Sequence, residues 1–127
     1  MLNIDKEMSK AYSDNGAFFA FSKKQFDEKA LPDVKYARMQ SGLICPKANA
    51  KKLNEQMSRI LDEGAKKVLE TNTKREIIWY ELTNHECQIT YDYSDAVNAV
   101  RIYNITEEEI KEVWPDFLQH CQRNDLF

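Results

Sequence analysis

Glycine and proline are scarce in this chain, three of each in 127 residues, and no repeat or low-complexity run divides it. The expectation is therefore a single domain over residues 1–127. No apolar run approaches the ~18 residues that a membrane helix needs. The first segment, MLNIDKEMSKAYS, carries Asp5, Lys6, Glu7 and Lys10 where an export signal would be uninterruptedly apolar. A cytoplasmic location away from membranes is expected. Cysteine occurs three times, at Cys45, Cys87 and Cys121. An odd number at irregular spacing without an export signal points to reduced thiols rather than a disulfide framework. A Gly-rich phosphate loop, a G-x-S-x-G elbow, a paired metal-binding Asp motif and an RNA-binding aromatic motif are all missing, which makes catalysis the weaker class and implies no cofactor.

What is present is a globular balance, 43% hydrophobic and 31% charged residues, and a chain of this length can bury roughly two thirds of its unfolded surface. The net charge of −3 is uneven. Residues 1–60 hold eleven Lys/Arg against seven Asp/Glu, whereas residues 61–127 hold seven against fourteen. Such polarity bears on association rather than on fold.

The local patterns predict an α+β domain, mainly helical, with a small three-stranded antiparallel sheet packed on a long helix. A first helix over about 4–13 stops at Asn15-Gly16, which tolerate left-handed backbone. AFFAF reads as a buried strand at 17–21, and Ser22 with Gln25 opens a helix over 23–30 that ends before Pro32. A hairpin is expected from 34–39 and 42–45 around Ser41-Gly42. Ala50, Leu53, Met57, Ile60, Leu61, Gly64 and Val68 recur at three- and four-residue steps and predict a helix over 47–71. Thr73 and Glu76 form a capping-box pair ahead of a helix over 74–87, and Ser94 or Asp92 caps a short one over 94–100. In ITEEEIKEVW, Thr106 is the N-cap, Glu109 reaches back, and Ile105 staples onto Ile110. Pro115 is expected to bend or restart that helix, leaving a second piece to about 123.

The segment TNHECQITY sets His85, Glu86 and Cys87 side by side in a chain with only two histidines. Adjacent helical residues point about 100° apart, so the three do not converge unaided. A metalloprotease helix needs a second His four residues on, where Ile89 stands. A zinc site from His85, Cys87, His120 and Cys121 lacks paired ligand spacing. A Cys-His nucleophile pair is the remaining catalytic alternative. Buried structural cysteines, with His85 at the core edge bonded to a backbone carbonyl or to Glu81, are the preferred reading.

Taken together, FFAFSKKQF, YELTNHECQIT and TEEEIKEVW resemble small accessory proteins of bacteriophages and integrated mobile elements. That resemblance implies a protein acting on host machinery, such as an inhibitor of a defence nuclease of the anti-CRISPR kind, and supplies no functional residues. The residues themselves point to a non-enzymatic, macromolecule-binding chain with a protein partner, favoured by its tyrosines and tryptophans. Glu107, Glu108, Glu112 and Asp116 are the candidate contact surface, for a basic partner. The alternative is nucleic acid, with Lys47, Lys51, Lys52 and Arg59 along the polar side of the 47–71 helix as its footprint. The tyrosines Tyr91, Tyr93 and Tyr103 near Arg101 offer stacking surfaces, but Asp92 and Asp95 flank them.

Overall fold

The apolar stripe from Ala50 to Val68 forms one uninterrupted helix, α3 (Lys47–Thr71), over the span its periodicity predicts. The computed structural model describes all 127 residues as two compact units. One is Asn3–Glu63, and the other is Gly64–Phe127 together with Met1–Leu2. The division falls inside α3, at the Glu63-Gly64 step.

In the N-terminal unit, α1 (Asp5–Asp14), β1 (Phe18–Phe19), α2 (Lys23–Lys29), β2 (Tyr36–Arg38) and β3 (Leu43–Pro46) precede α3. The sheet is antiparallel throughout, in the order β1-β3-β2. Leu43 and Cys45 point to one face and pack with Ala11 of α1 and Leu53 of α3, joined by Ala50, Met57 and Ile60. The small sheet thus rests on the long helix. Asn15, buried at the end of α1, closes this core. Its Nδ2 donates to Ala11 O at 2.8 Å and to Gln56 Oε1 at 2.7 Å, and its own carbonyl accepts from Asn49 Nδ2 at 3.1 Å.

Strand 17–21 is shorter than its apolar run suggests. Ala20 N still donates to Gly42 O at 2.9 Å, and the Phe21 N–H, which alternation turns away from β3, is taken by Gln25 Oε1 at 2.7 Å while Ser22 Oγ accepts from Gln25 N, so the chain turns from the sheet into α2 at Phe21. The hairpin loop is Gln40-Ser41-Gly42, with Ser41 and Gly42 at φ +54° and +80°, bracketed by Met39 N donating to Leu43 O at 2.7 Å.

The C-terminal unit contains α4 (Lys74–Asn84), α5 (Cys87–Thr90), α6 (Ser94–Val100) and α7 (Glu107–Arg123). Thr73 and Glu76 form the expected reciprocal capping box. The helix expected over 74–87 breaks at Glu86, which adopts a left-handed conformation at φ +49°, and resumes as α5. Ile77, Ile78, Leu82, Val100, Ile110 and Phe117 share one core, which also buries both staple residues, Ile105 and Ile110. Pro115 neither ends nor restarts α7. It lies on the exposed side, where solvent can satisfy the carbonyl that loses its donor.

Removing the Asn15 amide should be costly, because Gln56 Oε1 then loses a donor inside the unit. Asn15→Ala is expected to lower stability by about 1–3 kcal/mol in urea unfolding, whereas a loss under about 0.5 kcal/mol would place the burden elsewhere.

Candidate binding site

Side-chain alternation along β3 sends Ile44 and Pro46 to the sheet face opposite Leu43 and Cys45. Their cross-strand partners follow: Phe18 sits opposite Ile44 on β1, while Arg38 and Tyr36 sit opposite Ile44 and Pro46 on β2. This second face is covered only by the two-turn helix α2, which contributes Phe26. Phe18, Phe26 and Tyr36 form a cluster of aromatic rings with centroids 5.5–6.2 Å apart. Beyond it the sheet face opens into a concavity of about 630 Å³, lined chiefly by Phe21, Phe26, Val34, Tyr36, Arg38 and Ile44. That volume lies within the range of binding clefts, roughly 300–1,000 Å³.

Phe21 forms one wall and is 73% exposed. Its ring stacks on Phe19 at 6.3 Å and covers Gly42, where a Cβ would come within 2.5 Å of the ring. Glycine at position 42 therefore serves both the left-handed turn and the seat of Phe21. The lining includes the cations of Lys23 and Arg38 and no carboxylate. Sequence reasoning missed this site because AFFAF reads as wholly buried. The signal available was the Ser22-Gln25 capping pair, which requires the chain to leave the sheet near Phe21.

Of the acidic residues proposed from sequence, Glu107, Glu108, Glu112 and Asp116 are all exposed on α7. Asp116 pairs with Arg75 at 3.2 Å and Glu108 with Lys111 at 3.2 Å, while Glu107 and Glu112 form no ion pair. Glu109 accepts from Lys74 and from Thr106 Oγ1. Lys47, Lys51, Lys52 and Arg59 are exposed on α3, but Glu55 stands between Lys51 and Arg59 on the same helical face, and Arg59 shares a shallow hollow with Glu7, Asp14 and Glu63. Tyr91 and Tyr93 meet Trp114 edge-on, whereas Tyr103 is buried in the core.

The histidines and cysteines have separate environments. His85 Nε2 lies 3.2 Å from Glu81 Oε2, one of the two bonding arrangements expected for it. His120 packs edge-on against Trp79, whose ring also carries the Arg75 guanidinium. Cys87 and Cys121 are buried in the C-terminal core and Cys45 under the sheet. No three His, Cys, Asp or Glu side chains gather in a metal-holding arrangement. Burial raises the pKa of all three thiols, and at Cys87 the negative charges of Asp95 and Asp92 raise it further. A raised pKa leaves less thiolate at neutral pH, the opposite of nucleophile activation.

A mainly helical α+β chain with a small, half-covered sheet is the class these features define. The chain belongs to DUF7659, a family of unknown function, whose pattern matches residues 2–120. No curated protein and no solved structure matches it. No helix is long and apolar enough to cross a membrane.

Alkylation followed by mass spectrometry should find all three thiols protected at pH 7 in the folded chain and all three labelled in denaturant. Rapid labelling of Cys87 in the folded chain would contradict the burial and charge described here.

Proposed function

We propose that this chain is a non-catalytic binding module that receives an apolar segment of another protein on the open face of its N-terminal sheet. The observation that carries this reading is the exposed Phe21 ring, held beside Val34, Tyr36 and Ile44 at the mouth of an apolar concavity. Exposed aromatic side chains beside a formed hollow are what protein interfaces use as anchors. An accessory or inhibitory role would then operate by occupying a partner stoichiometrically. Nucleic acid is the weaker alternative, since Glu55 interrupts the cationic side of α3 and carboxylates surround Arg59.

Selection from a displayed random-peptide library tests the proposal. Peptides sharing an apolar motif are expected to enrich on the wild-type chain and to be lost on Phe21→Asp. Because Phe21 lies outside the core, that variant should keep the wild-type circular dichroism spectrum. Failure of any motif to enrich, or equal retention by the variant, would overturn the proposal.

A further inference from the structure

The free edge of β2 adds a second feature to the same concavity. Lys47 N donates to Lys35 O at 2.8 Å, and Met39 N donates to Leu43 O at 2.7 Å. Ala37 lies opposite Cys45 between these two bonded positions. In an antiparallel ladder, alternate residues turn their backbone groups to the partner strand. Lys35, Ala37 and Met39 therefore face β3, and Tyr36 and Arg38 present their N–H and C=O groups outward. β2 is the last strand of the sheet, and neither residue's backbone forms a hydrogen bond outside the ladder. The side chains of these same two residues line the concavity. An exposed edge of this kind is a template for another strand.

Resting on the binding role proposed above, we infer that the ligand is an extended, acidic peptide segment that adds to the sheet as a fourth strand along β2. Tyr36 and Arg38 supply up to four main-chain hydrogen bonds. Alternate side chains of the ligand descend into the hollow, an apolar one between Phe21, Val34 and Tyr36 and an acidic one, two residues away on the same face, beside Arg38, the arrangement by which strand addition combines main-chain affinity with side-chain selectivity. The preference for acid follows from charge: Lys23 and Arg38 line the hollow and no carboxylate does, so a ligand carboxylate finds a cation and a ligand lysine finds only repulsion. The edge is short, which limits off-target pairing with other strands.

Three short synthetic peptides test this on the full chain: one with Phe and Glu two residues apart, on one face of the strand, and Thr at the other positions, the same peptide with Lys for Glu, and the acidic peptide N-methylated along its whole length. A short oligothymidine serves as the fourth probe. Binding is followed by amide chemical shifts and by hydrogen exchange. The acidic peptide is expected to shift Phe21 and Val34 and to slow exchange at the Tyr36 and Arg38 amides. The Lys peptide and the N-methylated peptide should each bind at least about tenfold more weakly. Shifts at Phe21 and Val34 without protection of Tyr36 and Arg38, or undiminished binding of the N-methylated peptide, would overturn strand addition while leaving the concavity as the binding face. Equal binding of the Lys peptide would overturn the acidic preference. Silence from all three peptides at these residues would overturn both proposals, as would a response there to oligothymidine alone.

Discussion

The N-terminal unit depends on the pairing of β3 on both of its edges. Four residues, Leu43–Pro46, hold β1 on one side and β2 on the other. Leu43 and Cys45 anchor the strand against α1 and α3, and Ile44 forms the floor of the opposite face. The strand passes directly into α3 at Lys47, so the register that buries Cys45 also sets where the helix begins. A one-residue slip would exchange the two faces, exposing Leu43 and Cys45 and turning the Tyr36 and Arg38 backbone groups toward β3. The core contacts therefore determine which backbone groups remain free.

Two local devices shape the open face. The N-cap of α2 at Ser22 turns the chain away from the sheet, and the Phe21 N–H joins that cap through Gln25 Oε1. The left-handed turn at Ser41-Gly42 then supplies a residue without a side chain beneath the Phe21 ring. The two devices meet at Phe21, and both lie in the N-terminal unit; the core of the C-terminal unit is built from α4, α6, α7 and the end of α3. The charge asymmetry follows this division, since Gly64–Phe127 contains seven Lys/Arg against twelve Asp/Glu.

Much of the fold was legible because its signals are local. The stripe along α3 needs only a 3.6-residue period, and Thr73 with Glu76 and Ile105 with Ile110 mark helix starts through contacts a few residues apart. The misreadings arose where two local rules competed or where exposure decided the outcome. AFFAF is apolar enough for a longer strand, but a capping hydrogen bond takes its last residue. Pro115 disfavours a continuous helix, yet the lost bond falls on the solvent side. The break at Glu86 carries no glycine to announce it. The candidate site was the least legible part, because an exposed phenylalanine and a free strand edge are properties of register and coverage, which arise between segments distant in sequence. At 85–87 the helix assumed from sequence is interrupted at Glu86, and it is this break, with the packing around it, that sends Cys87 into the core and leaves His85 against Glu81.

The structure of the chain in complex with a peptide enriched by display tests the account most directly. The account predicts an extended ligand antiparallel or parallel to β2, with its main chain within hydrogen-bonding distance of Tyr36 and Arg38 and an apolar side chain against Phe21. A ligand lying along the acidic side of α7, or on the lysine side of α3, with the β2 edge left bare, would contradict it.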